Sequence, residues 1–203
     1  MEKFFEHNQG FSSRMPYTLQ FMDYSDTELL LMFQRMIEKK YNGRMSIEDG
    51  SGGLYARIVV KRLGRGRGHE GFGNARALEN IVARIGERQA ERLQKARATG
   101  ANVNDFILTK EDLIGPDPSK ALFTSSAWGE LQKMIGLTMV KDSIRGLLDN
   151  IQTNYHRELQ EKSLIEVSLN RVFLGSPGTG KTTVGKLYGQ VLKDTGLLSN
   201  GEG

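Results

Sequence analysis

Apolar residues recur at three- and four-residue spacing along most of this chain, and runs that alternate like strands are short and few. Phe4, Phe5 and Phe11 flank a turn-like Asn8-Gln-Gly10, and Ser12 to Pro16 leads into Tyr17-Thr-Leu-Gln-Phe21, which predicts a strand. Ser25-Asp-Thr-Glu28 has the spacing of a capping box, with Ser25 as N-cap. The helix it starts carries Leu29, Leu30, Phe33, Ile37 and Tyr41 on one side, and Gly43 supplies a stop. A second helix is expected within residues 46–64, with Leu54, Ile58, Val59 and Leu63 inward, ended by Gly64-Arg-Gly-Arg-Gly68. A long helix follows from about Asn74 to Ala98, with Leu78, Ile81, Val82, Ile85, Gln89 and Leu93 as its inner stripe. Phe106-Ile-Leu108 reads as extended, and Thr109-Lys-Glu-Asp112 caps a single helical turn to Ile114. Gly115-Pro-Asp-Pro118 is a boundary. Beyond it come a short helix over 125–134, a break at Ile135-Gly136-Leu137, and a long amphipathic helix to about Lys162. Val140, Ile144, Leu147, Leu148, Ile151, Tyr155 and Leu159 face inward on that helix. Ile135 and Leu137 read as core residues.

Val172-Phe-Leu174 then predicts a short buried strand, and Val184, Leu187, Tyr188, Val191 and Leu192 a following helix. Between them, Gly175-Ser-Pro-Gly-Thr-Gly-Lys-Thr-Thr183 fits the phosphate-binding template G-x-x-x-x-G-K-[ST] in its strand–loop–helix setting. The residue types suit that chemistry. Gly178 and Gly180 let the backbone wrap a phosphate with its N–H groups inward, which makes Ser176, Pro177, Gly178, Thr179, Gly180, Lys181, Thr182 and Thr183 the candidate nucleotide contacts. The helix starting at about Lys181 adds its positive end. Lys181 reaches the β- and γ-phosphates as a point charge, and the Thr182 hydroxyl holds Mg²⁺. ATP with Mg²⁺ is therefore the expected cofactor. Only about twenty residues follow Thr183, too few for the second strand, its Mg²⁺-binding acid and a water-positioning group, so the chain is expected to stop inside a domain.

Composition narrows the classes further. The 203 residues are 38% hydrophobic with a formal charge of +4, which does not by itself argue for nucleic acid. There is no cysteine, hence no disulfide framework or cysteine-based zinc site. No apolar run approaches a membrane span and the N-terminus lacks a signal-peptide pattern, so a cytoplasmic protein without a membrane partner is expected. His7, His69 and His156 are isolated and make no metal or general-base constellation. Arg57, Lys61 and Arg62 with the Gly64–Gly68 run could suggest phosphate contacts, but the interleaved aromatics of a nucleic-acid surface are absent, and a flexible, solvated loop is expected.

Several stretches resemble the AAA+ ATPases, and the CbbX-like branch in particular, which includes red-type rubisco activases and related sporulation-type ATPases. Asn8-Gln-Gly-Phe-Ser-Ser-Arg14-Met-Pro16 is similar to the segment bearing that family's arginine finger, with Gln9 and Met15 as conservative departures. Phe21-Met-Asp-Tyr-Ser-Asp26 resembles the approach to the helical lid, and Leu108-Thr-Lys-Glu-Asp112 the lid's last element. Gly71-Phe-Gly-Asn-Ala-Arg76 is similar to the sensor-2 motif, with Arg76 as the sensor arginine. Met134-Ile-Gly-Leu137 with Val140-Lys141 looks like the segment beside adenine, bringing in Gly136.

The resemblance implies an α/β protein with high helix content, made of two consecutive modules seen out of phase. Residues 1–24 would end a first large subdomain, 25–114 form its helical lid, 115–124 link, and 125–203 begin a second, truncated P-loop domain. It implies ATP bound at subunit interfaces of a homo-oligomeric ring, usually a hexamer, and ATP hydrolysis coupled to remodelling of a protein client. Arg14 would reach a neighbouring subunit's γ-phosphate, as suits a planar guanidinium that stays charged. Arg76 would couple lid angle to the nucleotide of its own module. Pore loops, the Mg²⁺ acid and the remaining sensor lie outside the chain, so the fragment alone is expected to be an inactive hydrolase. Two other classes compete: a non-catalytic regulatory fragment that docks on a related ATPase, and a nucleic-acid-dependent P-loop ATPase. A small-molecule kinase fits the loop alone but leaves residues 1–114 unexplained.

Overall fold

The computed structural model describes residues 19–195. Helix α1 (Asp26–Lys40) starts where the capping box predicts. The Glu28 carboxylate accepts from the Ser25 amide at 2.8 Å, and Ser25 Oγ accepts from the Glu28 amide. Helices α2 (Leu54–Gly64) and α3 (Asn74–Ala98) pack on it, the latter followed by Gly100 in the left-handed region. Leu29, Phe33, Ile58, Leu78 and Ile85 are the centre of this first core.

The helix expected within residues 46–64 occupies the last eleven of them, and the residues before it hold a strand that was not expected. Ser46–Ile47 is a strand, β1, paired in parallel with β2 (Ile107–Leu108), and the helix begins only at Leu54, whose amide donates to the Asp49 carboxylate. Gly50, Gly52 and Gly53 lie in the turn before it and explain the delay, because glycine disfavours a helix interior. Thr109 caps the short α4 (Lys110–Ile114) through its own capping box with Asp112. Asp112 is 1% exposed and also accepts a two-pronged bond from Arg92 on α3, with Nη2 at 2.9 Å. One carboxylate thus caps α4 and ties it to α3.

The segment after the boundary is not a bare linker. Pro118 opens a seven-residue helix, α5 (Pro118–Thr124), at the position where a missing N–H costs nothing. Helices α6 (Ser126–Lys133), α7 (Thr138–Leu159) and α8 (Lys181–Asp194) build a second core from Leu131, Ile144, Leu148, Val184 and Val191. The two cores share one helix. Ile144, Leu147, Leu148 and Ile151 of α7 belong to the second, while Tyr155 is buried in the first and Leu159 packs against it.

Ion pairs reinforce the junction of α7 with α2. Glu158, 8% exposed, takes a two-pronged bond from Arg62 (Nη2 at 2.6 Å) and a second bond from Arg65. Just past the helix, Glu161 accepts from Arg57 at 3.0 Å and Lys61 at 2.8 Å. Burial raises the affinity of Glu158 for its proton, but the hydrogen bonds and charges of Arg62 and Arg65 outweigh it and the carboxyl sits below its ordinary range.

Two predicted strands are absent among the described residues. Leu19 and Phe21 are exposed and unpaired, Tyr17 lying outside the described residues. Val172-Phe-Leu174 forms no strand, and Val172 and Leu174 are 83% and 87% exposed rather than buried. A strand's backbone groups need a neighbour, and the only described sheet is the small β1–β2 pair elsewhere. Ile135 is likewise not core but 100% exposed, because Gly136 and Leu137 both adopt left-handed conformations and swing the chain outward before α7.

Replacing Asp112 by alanine leaves Arg92 without its carboxylate and removes the N3 half of a cap. The expected loss is about 3 kcal/mol, read from the midpoint of urea unfolding, with Asp112→Asn losing less. Acid acts on the α2–α7 junction. Hydrogen bonds from Arg57 and Lys61 lower Glu161 from its ordinary 4.5 to about 2. A carboxyl depressed in the folded chain stabilises it above the ordinary value and loses that contribution as pH falls through the folded value. The junction therefore weakens between about pH 4.5 and about 2, and Glu161→Gln makes the acid-unfolding curve shallower in that window.

Candidate functional site

The candidate phosphate-binding loop, Gly175–Thr183, forms without a flanking strand. Gly178 (φ 81°) and Gly180 (φ 84°) occupy the left-handed region, where a side chain is strained, so glycine is required at both. Gly180 is the N-cap of α8, and Lys181 is that helix's first residue. The loop is closed by its own polar groups: Thr179 Oγ1 donates to the Ser176 carbonyl at 2.8 Å, and Lys181 Nζ donates to the Gly175 and Ser176 carbonyls at 2.8 and 2.7 Å. Ser176, Pro177 and Thr182 are exposed, and the Thr182 hydroxyl has no partner among the described residues. The arrangement suits a phosphate: exposed backbone amides, a helix N-terminus and a cation whose present partners are neutral carbonyls. For Mg²⁺ it offers the Thr182 hydroxyl, and the described residues contain no cluster of three or more acidic or histidine side chains that could hold a metal by itself.

The 134–137 segment lies against this loop. Gly180 faces the Met134 methyl group, at 3.6 Å from where a Cβ would stand. Lys141 Nζ, from the first turn of α7, donates to the Gln132 and Met134 carbonyls and holds the bend that contains Gly136. Leu137 is partly buried against the second core. The structure thus brings Gly136's segment beside Gly178–Thr183.

Arg76 belongs to the other core's helix, α3, where it is exposed and has no side-chain partner among the described residues. What fixes its helix start was not singled out from sequence. Asn74 adopts a left-handed conformation (φ 45°), its amide oxygen accepts from the Tyr24 amide at 3.0 Å, and its amide nitrogen donates to Asp23 at 2.7 Å. Asp23 also accepts from the Gly68 amide, and Arg67 donates to the Tyr24 carbonyl and to Asp26 at 2.6 Å. Hydrogen bonds from Asn74 and Gly68 hold the Asp23 carboxyl below its ordinary range. The chain entering α1, the Gly/Arg run and the start of α3 are therefore one hydrogen-bonded knot. No local spacing signals it, since its partners stand more than forty residues apart. The run at 64–68 is solvent-accessible, as expected, and its arginines are paired, Arg65 with Glu158 and Arg67 with Asp26. Arg14 lies outside the described residues. No helix among the described residues is long and apolar enough to cross a membrane.

Residues 25–122 match the family model described as an AAA lid domain. Over that stretch the chain is similar to an AAA lid domain. Its relatives refine the class. It is 32% identical over 123 residues to a "Protein CfxQ homolog" of Guillardia theta, covering 60% of this chain and 37% of that protein. It is 39% identical over 93 residues to "Protein CbbX" of Cereibacter sphaeroides, covering 46% and 28% of the two chains. It is 33% identical over 72 residues to "Stage V sporulation protein K" of Bacillus subtilis, covering 36% and 22%. These matches put the chain beside the CbbX-like branch of the AAA+ ATPases, at modest identity and over part of its length. The chain spans about a third of the length of the first of these relatives. No solved structure matches it.

Asn74→Ala removes both bonds of its side chain and places alanine in a left-handed backbone. Amide hydrogen exchange at Tyr24 and Gly68 is expected to speed up at least about tenfold, the equivalent of ~1.4 kcal/mol, with α8 amides unaffected.

Proposed function

We propose that this chain is the ATP-binding segment of a tandem AAA+ ATPase, in which residues 25–114 are the lid of one module and residues 125–203 open the P-loop domain of the next. The observation that carries it is the Gly175–Thr183 loop, with Gly178 and Gly180 in left-handed conformations and Lys181 opening α8. In the loaded site the Lys181 ammonium exchanges two neutral carbonyls for phosphate oxygens, a stronger, charge-assisted bond. The backbone amides of 178–182 line the phosphates, Thr182 contributes its hydroxyl to Mg²⁺, and Gly136 lies by the base. Arg76 reads the nucleotide of the first module and Arg14 reaches a neighbouring subunit's site. The parent is proposed to be a ring that remodels a protein client. The nucleic-acid alternative is disfavoured by the pairing of Arg65 and Arg67 with carboxylates, which leaves the Gly/Arg run little free charge for phosphates.

Titration of the purified chain with a fluorescent ADP in Mg²⁺ tests the reading. Saturable binding is expected, weakened more than about tenfold by Lys181→Ala, the size of one lost charge-assisted contact. Steady-state phosphate release should stay at background. Turnover abolished by Lys181→Ala in the chain alone would overturn the division into partial modules. In the longer parent, Arg14→Ala is expected to lower turnover by about 10³- to 10⁵-fold, as for other trans-acting arginines.

A further inference from the structure

Helix α7 touches the candidate nucleotide site at one end and the lid at the other. Its first turn carries Lys141, which holds the 132–134 carbonyls beside Gly180. Its last turn carries Tyr155 and Leu159 into the lid core and Glu158 onto α2. Its 22 residues make a rod about 33 Å long. The chain beyond it doubles back on the rod: the Asn154 side chain exchanges two hydrogen bonds with the backbone of Ile165, at 2.7 and 2.8 Å, and Arg157 donates to the Ser163 carbonyl. Tyr188 on α8 donates to the Leu169 carbonyl and closes the path to the P-loop.

Around the seated Tyr155 and Leu159, the contact at the lid end is a cluster of ion pairs. Arg57, Lys61 and Arg62 of α2, with Arg65 just past its end, meet Glu158 and Glu161. Four cations against two carboxylates leave surplus positive charge, so the contact is held without being saturated. A crevice of about 370 Å³, lined by Arg62, Arg65, Pro116, Tyr155 and Leu164, runs beside it. Ion pairs next to open space can re-form in a shifted register, which interlocked apolar side chains resist.

We propose that α7 is a relay between nucleotide at the P-loop and the position of the preceding lid, and that Glu158 and Glu161 are its coupling residues. The proposal rests on the nucleotide reading of the P-loop. Coupling is reciprocal, so an intact latch must alter nucleotide affinity as nucleotide alters the latch.

The chain has no cysteine, so Ala90→Cys on α3 and Lys186→Cys on α8 accept a pair of distance-reporting labels cleanly. Both positions are exposed. The labelled chain is measured with and without Mg·ADP, beside Glu158→Gln/Glu161→Gln and Lys181→Ala versions. Expected are a nucleotide-dependent change in the label distance, its loss in the double glutamine variant, and a change of at least about fivefold in that variant's nucleotide affinity. Lys181→Ala should lose binding and keep the nucleotide-free distance. Arg57→Gln/Lys61→Gln cuts the exposed half of the latch and gives the same readout should the buried half be needed for folding. Double glutamine or Arg57→Gln/Lys61→Gln chains that bind and respond as the parent does would overturn the relay and leave the P-loop reading standing. Failure of the parent chain to bind nucleotide would overturn that reading and the relay with it.

Discussion

The arrangement depends on one helix serving two cores. Along α7, Ile144, Leu147, Leu148 and Ile151 fill the cluster shared with α6 and α8, and then Tyr155 enters the cluster of α1, α2 and α3. An amphipathic stripe can do this only if it stays continuous while its partner changes, and here the change falls between Ile151 and Tyr155, four residues apart and on one face. Neither core can rotate freely against the other without unseating part of that stripe. The acidic end of α7 adds direction to the constraint. Glu158 in the last turn and Glu161 just past it meet a row of cations, Arg57 and Lys61 on α2 and Arg65 at its C-cap, that recur every four residues.

The two halves of that latch contribute differently. Glu161 and its partners are solvated, and such pairs contribute little at ordinary salt. Glu158 is buried, and Arg62 reaches both it and the Ile114 carbonyl at 2.6 Å. Removing either side would leave a desolvated charge, so this half fixes geometry more than it adds stability. A junction pinned by geometry and trimmed by weak outer pairs suits a contact that shifts without dissociating.

Much of the lid was legible because its signals are local. Ser25–Glu28 and Thr109–Asp112 announce their caps within four residues, and the stripe Leu78–Val82–Ile85–Gln89 announces the inner face of α3. The strand Ser46–Ile47 was missed because two residues carry no period, and its pairing with Ile107–Leu108 spans sixty positions. The basic residues of α2 were visible, but a run of cations reads the same whether it faces solvent, phosphate or carboxylate until the partner is placed. Asp23 and Asn74 stand in stretches that the family resemblance brought forward, yet nothing in either stretch signals that each is the other's partner.

The second half divides along the same line. A glycine-rich loop that opens a helix is specified by backbone freedom and by the unpaired amides of the helix's first turn, both local, so Gly178, Gly180 and α8 take shape by themselves. A strand is not local. Val172 to Leu174 have the composition of a buried strand, but composition cannot supply the neighbouring backbone that would hide them, and they stay exposed. Among the described residues the loop and its helix therefore stand without a sheet beneath them. In the described residues the loop is braced from the side instead, by the bend at Met134–Leu137 and the foot of α7. Because α7 is also seated in the first core through Tyr155 and Leu159, that core's hold on α7 bears on how well the loop is supported.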